Sequence, residues 1–326
     1  MKKVSVIIPA YNAEKTIERA IKSITGGYSF IEVIVVNDGS TDNTQSIVEN
    51  MAKEDDRIVL INQDNGGVGV ARSKGIKEST GDYIAFCDSD DWYENNFIEE
   101  HIKHLEEYSA DISECRTHIS NARDMGNNDK IIIKEGNSLV ADYLNYNCIS
   151  VALWDKVYKR FILDNEDIFN TLRYSEDLYM NYVACKYAKR IVKFNTTKYN
   201  WYNNTSSLSR GKFNPLKLDN DFQSWTRIIE DCKKNYPELE ETARLSSELW
   251  ICGTFRSMVS CGYHNRELEK KIATYIRQDG IKPLKAEKNK KNKAFLRVAL
   301  FSFPMARFIW STKNFLIRMA KKILRR

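Results

Sequence analysis

Short β-branched runs alternate with helical patterns four times before residue 92, and this alternation leaves the chain few possible folds. Val4 to Ile8 is the first run, and Pro9 is expected to stop it. Asn12 is placed to cap a helix whose apolar residues Ile17, Ala20, Ile21 and Ile24 recur at helical spacing. Ile31 to Val36 reads as a second strand, ended by Asn37-Asp38-Gly39-Ser40, with a helix through Ile47, Val48 and Met51 behind it. Ile58 to Ile61 is a third strand, followed by the loop Asn62 to Gly67 and a short helix from Val70 to Glu78. Tyr83 to Cys87 is a fourth, and it runs into Asp88-Ser89-Asp90-Asp91. Such alternation with short loops predicts an α/β fold, a mostly parallel sheet flanked by helices. Ligands of these sheets bind beyond the carboxyl ends of the strands. The loops opening at Pro9, Asn37, Asn62 and Asp88 are therefore expected around one pocket.

After Asp91 the pattern loosens. Glu94 to Tyr108 reads as a helix on which His101 and His104 lie on a solvated face rather than at a metal. Ala110 to Cys115 reads as a strand, 120–130 as a polar loop, and 136–146, 176–188, 216–232 and 237–261 as helices. Residues 282–293 read as a basic linker. A chain of 326 residues with 42% apolar and 29% charged content can bury a large core and keep a cleft. Its net charge of +6 is uneven: residues 282–326 hold 14 Lys/Arg and one Glu, while the rest carries a net −7. Seven scattered cysteines without a CxxC pair point away from a thiolate zinc site or a disulfide framework and toward a reducing compartment. The N-terminus enters a strand at Val4 with no long apolar core, so export is not indicated.

The residues that carry chemistry sit at the strand ends. Asp88 and Asp90 flank Ser89, and two carboxylates at the mouth of a buried strand repel one another and lose solvation unless a cation is present. Their hard oxygens suit Mg²⁺ or Mn²⁺, ions that also bind diphosphates, although a solvated acidic turn is the plainer alternative. Asp38 is placed to accept a hydrogen from a base ring, whereas helix capping falls equally to Ser40, Thr41 or Asp42. Tyr11, beside Pro9, offers a ring for stacking on a base or simply for packing at the turn. The glycines of Asn65-Gly66-Gly67 before a helix allow backbone N–H groups near a phosphate. Arg72 is a candidate to neutralise a phosphate, to brace Asp38, or to lie on the surface. Glu176-Asp177 opens a helix, where acids favour the dipole, and Asp177 is the candidate general base.

Taken together, these residues resemble the family 2 glycosyltransferases of the bacterial cell-surface polysaccharide type. Val4 to Asn12, Val35 to Asp42, Asn65-Gly66-Gly67 through Arg72, and Gly81 to Asp91 match that family's signatures in order and spacing. The resemblance implies a Rossmann-like GT-A fold and gives no guidance beyond about residue 212, where the residue pattern itself predicts a helical C-terminal extension. It implies a catalytic domain over 1–212, with a nucleotide-binding half at 1–92 and an acceptor half at 93–212. A helical extension at 213–281 and a basic amphipathic tail at 282–326 follow. Pro9, Tyr11 and Asp38 would hold a base, uracil first, and Gly66 and Arg72 would lie near the donor nucleotide. Asp88 would face the ribose or a metal, and Asp90 would ligate Mn²⁺ or Mg²⁺. In Trp154-Asp155-Lys156-Val157-Tyr158, Trp154 and Lys156 would border the donor sugar or acceptor, Asp177 would be the base, and Arg210 would belong to a loop closing over the donor. The implied reaction is inverting transfer of a hexosyl or N-acetylhexosaminyl group from a UDP-sugar to an acceptor hydroxyl of a growing, lipid-linked glycan such as a capsule.

Residues 294–326 mix aromatics and aliphatics with Arg297, Arg307, Lys313 and Arg318, and have no uncharged run of membrane-spanning length. They suit an interfacial segment on anionic lipid, or a helix packed on the body or on a second subunit of a homo-oligomer. The expected location is cytoplasmic, on the inner face of the cell membrane. Two rival readings are a metal-dependent nucleotidyltransferase and a non-catalytic protein using its basic tail on nucleic acid. The acidic body argues against nucleic acid as a partner.

Overall fold

The structure of the chain is a computed structural model that describes residues 2–119, 130–165, 168, 172–202 and 213–323. The chain divides into two compact units, Met1–Thr205 and Ser206–Arg326. The first opens as β1 (Val4–Ala10), α1 (Ile17–Thr25), β2 (Ile31–Asp38), α2 (Thr44–Glu54), β3 (Ile58–Gln63), α3 (Val68–Glu78) and β4 (Tyr83–Phe86). It continues as β5 (Trp92–Tyr93), α4 (Phe97–Glu107), β6 (Ile112–Ile119), β7 (Ile131–Glu135), α5 (Leu139–Leu144), β8 (Lys156–Lys159), α6 (Arg160–Leu163), α7 (Glu176–Tyr187) and β9 (Arg190–Trp201).

One sheet runs β3-β2-β1-β4-β8-β6-β9-β5, with β7 also on β9. The expected parallel order holds over β3-β2-β1-β4. It then gives way to a mixed sheet, because β8 lies antiparallel to both β4 and β6. Every residue of β1 and β2 is buried, as strands covered on both faces must be. Val4, Val6 and Ile8 of β1 pack with Ile17, Ile21 and Ile24 of α1 on one face. Ile7 points the other way, toward α3. A Cβ on Gly75 would stand 2.4 Å from Ile7 Cγ2, so glycine is what lets α3 lie this close. Truncating a buried residue such as Ile8 to Ala would cost about 2–5 kcal/mol.

Two local expectations are corrected here. Pro9 does not stop β1, which runs on to Ala10. The Ile7 carbonyl accepts from Cys87 N–H on the β4 side, and Pro9 faces that same side after the β4 register has ended at Phe86. Its missing N–H therefore costs no ladder bond. Asn12 does not cap α1: it sits at φ 50°, and its side-chain oxygen accepts from Thr41 N–H at 2.8 Å. It ties the β1 loop to the β2 loop instead. A third correction concerns α4, where His101 and His104 are buried rather than solvated, their rings 4.8 and 4.6 Å from that of Phe194. Burial holds the His101 pKa well below its ordinary value.

The second unit is helical: α8 (Pro215–Asn235), α9 (Glu240–Ser260), α10 (Arg266–Tyr275), α11 (Lys282–Ala286), α12 (Lys290–Phe301) and α13 (Phe303–Ile323). Asn214 caps α8 by accepting from Leu216 N–H, with Pro215 opening the helix. Asn265 caps α10 through the N–H groups of Glu267 and Leu268. The expected linker at 282–293 is instead α11 and the start of α12, with Pro283 buried. The tail shares a core with the extension. Phe295, Leu296, Ala299 and Phe303 are buried with Ile251, Phe255, Met258 and Val259 of α9, and the Phe255 and Phe303 rings stack at 4.5 Å. No helix among the described residues is long and apolar enough to cross a membrane.

Candidate active site

The strand order reverses between β1 and β4, because the chain moves outward from β1 to β3 and then returns to pair β4 on the other side of β1. A crevice opens at such a point. The carboxyl ends of β1, β2 and β4 carry Pro9, Asp38 and Asp88 to it. Asp38 and Asp88 are separated by one intervening strand, about 10 Å across the sheet.

Asp38 is 4% exposed and organises the loop after β3. Its carboxylate accepts from Gln63 Nε2 at 2.8 Å, Gly66 N–H at 2.7 Å and Gly67 N–H at 2.8 Å. A carboxylate has about four acceptor directions, so one remains for a ligand. The amides of Gly66 and Gly67 are thus engaged by an internal anion, which corrects the expectation that they face a phosphate. Gly67 needs its glycine, since it stands at φ 96° and a Cβ there would meet Arg173 Cγ at 2.5 Å. Of Ser40, Thr41 and Asp42, it is Asp42, one residue before the Asn43 cap position, that ties down the start of α2 by accepting from Thr44 N–H at 3.0 Å. Tyr11 is 52% exposed at the crevice mouth, so its ring face is open.

Arg72 does not brace Asp38. It is buried, with Nη2 donating to Asp88 Oδ1 at 2.7 Å and Nη1 donating to Glu176. One guanidinium therefore joins the end of β4 to the start of α7. Burial alone would lower the Arg72 pKa, but Asp88, Glu176 and Asp177 more than offset it and raise it. The Glu176 carboxyl stands raised to about 7, with burial pushing it up, Arg72 pulling it down and Asp177 pushing it up again. Ser175, just before the acidic pair, is left-handed at φ 58°, a strained position for a residue with a side chain. Asp177 is half-buried in the first turn of α7 and accepts from Leu178 N–H at 2.8 Å. Arg173 donates to the Asn65 carbonyl at 3.0 Å and so draws the approach to α7 onto the loop after β3.

The acidic loop after β4 divides its carboxylates. Asp88, Ser89 and Asp90 are half-exposed, while Asp91 is buried. Tyr199 of β9 donates to Asp91 Oδ2 at 2.6 Å and accepts from Asp88 N–H at 3.2 Å. Burial, then Asp88, push the Asp91 carboxyl up to about 8, against the bonds from Tyr199 and Tyr202 N–H. Arg19 of α1 donates to the Asp90 carbonyl at 2.6 Å and lies over the rings of Trp92 and Tyr202. Among the described residues no group of three or more His, Cys, Asp or Glu side chains converges. Asp88 and Asp90 are a two-carboxylate set of hard oxygens, with Asp88 Oδ1 already on Arg72. That set would suit a Mg²⁺ or Mn²⁺ ion, with most of the coordination shell left to ligands from outside the protein.

The later motif departs from expectation. Trp154 stacks on Tyr199, centroids 4.5 Å apart. Lys156 is fully buried, and its ammonium donates to Ser150 Oγ at 2.7 Å, the Ala152 carbonyl at 2.6 Å and Asp155 at 2.6 Å. Its three donors are used inside the fold, so it braces the 150–155 segment and cannot also reach a sugar. Arg210 lies outside the described residues. Sequence reasoning missed Arg19, Gln63, Arg173 and Tyr199. Only Tyr199 left a signal, in the Ile191 to Trp201 run of a strand read as no element at all.

Comparisons with known proteins bear on the family and the fold. The description Glycosyl transferase family 2 matches residues 5–166. The glycosyltransferase GlyA of Streptococcus pneumoniae is 32% identical over 222 residues, which span 64% of this chain but only 32% of GlyA. The uncharacterized glycosyltransferase EpsJ of Bacillus subtilis is 30% identical over 299 residues, covering 86% of this chain and 85% of EpsJ. Among solved structures, residues 1–349 of S. aureus TarS, in complex with UDP-GlcNAc, superpose with a TM-score of 0.70 at 21% identity, covering 96% of this chain and 89% of that one. The GT-A fold is thereby matched along almost the whole chain. Identity of 30% with EpsJ over most of both chains, with the family description matched over residues 5–166, shows that the chain belongs to glycosyltransferase family 2.

Proposed function

We propose that this glycosyltransferase moves a hexosyl or N-acetylhexosaminyl group from a UDP-sugar to a hydroxyl of a growing, lipid-linked cell-surface glycan, with inversion at the anomeric carbon. The observation that carries the reading is the Arg72 bridge, which holds Asp88 and Glu176 on one guanidinium. Asp177 is thereby kept close to the acidic loop where a diphosphate would leave. The UDP-GlcNAc bound by TarS supports uridine as the base and an amino sugar as a first candidate.

In this reading Tyr11 stacks on the base and the remaining acceptor direction of Asp38 receives its ring N–H. Asp90, with Asp88, would hold Mn²⁺ or Mg²⁺, which supplies charge neutralisation of the departing diphosphate. Asp177 takes the proton from the acceptor hydroxyl, whose oxygen attacks the anomeric carbon opposite the leaving group. Trp154, on Tyr199, forms the wall on the sugar side. Peripheral attachment through 294–326 at the inner membrane face gives access to a lipid-linked acceptor.

The test is a donor screen with Mn²⁺ across UDP- and GDP-sugars, reading nucleoside diphosphate release with and without acceptor lipid. The expected outcome is UDP release from one UDP-sugar. Diphosphate release from a nucleoside triphosphate instead would replace this reading with nucleotidyl transfer.

A further inference from the structure

The helices α12 and α13 carry two apolar stripes, of which only one is used. Phe295, Leu296, Ala299, Phe303 and Ala306 face inward and are buried in the second unit's core. On the opposite side Phe301 is 81% exposed and Phe308 72%, with Met305 between them and Ile309 alongside, both also exposed. Ser302 N–H bonds the Val298 carbonyl and Ala306 N–H bonds the Ser302 carbonyl, so helical spacing carries across the junction. Phe301, Met305 and Phe308 therefore form one line at i, i+4 and i+7. Exposed Arg297 lies one turn before it, and exposed Lys313 lies one turn past Ile309 at the edge of the stripe, its ammonium 4.9 Å from the ring centroid of Trp310, which packs inward on Phe295. Arg307 is not part of this surface, since it turns inward to Glu269 and the Tyr263 carbonyl. No acidic residue follows Glu287, while 12 Lys/Arg do.

We infer that this outer stripe is a docking surface for an anionic lipid bilayer, with Phe301, Met305 and Phe308 entering the headgroup boundary and Arg297 and Lys313 contacting lipid phosphates. The inference deepens the membrane placement proposed above and rests on it, but it does not depend on the donor. Bare phenylalanines flanked by cations suit an acyl boundary under negative headgroups. Nucleic-acid bases stack on single rings but offer no apolar layer for Phe301, Met305 and Phe308 together, and the same face of a second copy would bring the same uncompensated positive charge.

The experiment is co-sedimentation of the full chain with vesicles of phosphatidylcholine alone or mixed with phosphatidylglycerol, at low and high salt. The variants are Phe301→Ser with Phe308→Ser, and Arg297→Glu with Lys313→Glu. All four positions are exposed, so circular dichroism and Tm should be unchanged. The expected result is binding to the anionic vesicles that falls at least tenfold in either double variant and falls with salt. Calorimetric binding of UDP in solution should be untouched, which separates a failed docking surface from a failed donor reading. The inference is overturned if the wild type binds no vesicle, binds neutral vesicles equally well, or loses nothing in the phenylalanine variant. It is also overturned if that variant turns a lipid-free dimer into a monomer, or if RNA displaces the vesicles.

Discussion

Arg72 and Glu176 form a buried ion pair across 104 residues of sequence, and the same guanidinium holds Asp88. A planar fork reaches two carboxylates at fixed angles, and lysine has no such fork. Arg72→Lys should keep the fold yet lower kcat/KM by about tenfold to a hundredfold, most of it in kcat. Arg72→Met should destabilise the protein by about 3 kcal/mol, because buried Glu176 and half-exposed Asp88 both lose their counter-charge. Urea titrations beside steady-state kinetics check both, and an Arg72→Lys enzyme with full activity would remove the bridge from the account.

Asp177→Asn keeps the shape of the side chain and removes the base. Turnover should drop on the order of a thousandfold while Tm and UDP affinity hold. A folded variant with near-normal transfer would move the base elsewhere.

The acidic loop predicts a metal requirement. Treatment with EDTA should abolish transfer, and Mn²⁺ or Mg²⁺ should restore it. Asp90→Asn should raise the Mn²⁺ concentration for half-maximal activity by tenfold or more without altering the circular dichroism spectrum. Unchanged metal activation in that variant would remove Asp90 as a ligand.

Tyr199 gives a subtler test. Its hydroxyl is both the donor to Asp91 and the acceptor for Asp88 N–H. Tyr199→Phe leaves the ring on Trp154 but orphans the buried Asp91 carboxyl and the part-buried Asp88 N–H, at a cost of about 1–3 kcal/mol. Activity should fall with stability, and Trp154→Phe should be milder because stacking survives.

The second unit carries its own pH dependence. Glu248 is buried in α9 beside Asp279, and burial, then Asp279, push its carboxyl up to about 7. A raised carboxyl pKa means the folded state keeps its proton longer than the unfolded one. Glu248 therefore costs nothing below its ordinary value near pH 4.5, and the protein loses stability as pH climbs from there to about 7. Glu248→Gln should raise Tm by a few degrees at pH 8 and flatten the Tm profile over that window. Scanning calorimetry at pH 5 and pH 8 reads it directly, and an equal gap between variant and wild type at both pH values would dismiss the effect.

The first half of the fold was legible because its strands are covered on both faces and so read as unbroken Val/Ile runs, as from Ile31 to Val36. β9 was not, since its buried Ile191, Val192 and Tyr199 are interleaved with Lys193, Asn195 and Lys198 and its partners lie far away in sequence. At the site, the strand-end acids were visible by position alone. What Arg72 does was not, because its two acceptors come from β4 and α7, and no local pattern encodes a contact 104 residues long. Lys156 misled for a related reason. A lysine beside an aspartate reads as surface chemistry, whereas here burial turns the pair inward.

Gly75 touches no acid and faces no crevice, yet it sets how near α3 stands to β1. Arg72 sits one turn earlier on that helix. Any side chain at 75 must push α3 outward, and the guanidinium would retreat from Asp88 and Glu176 together. The absence of one methyl group thus acts as a gauge for the reach of a charge. A position that contacts no ligand and bears no chemistry can be as intolerant of change as the residues that do.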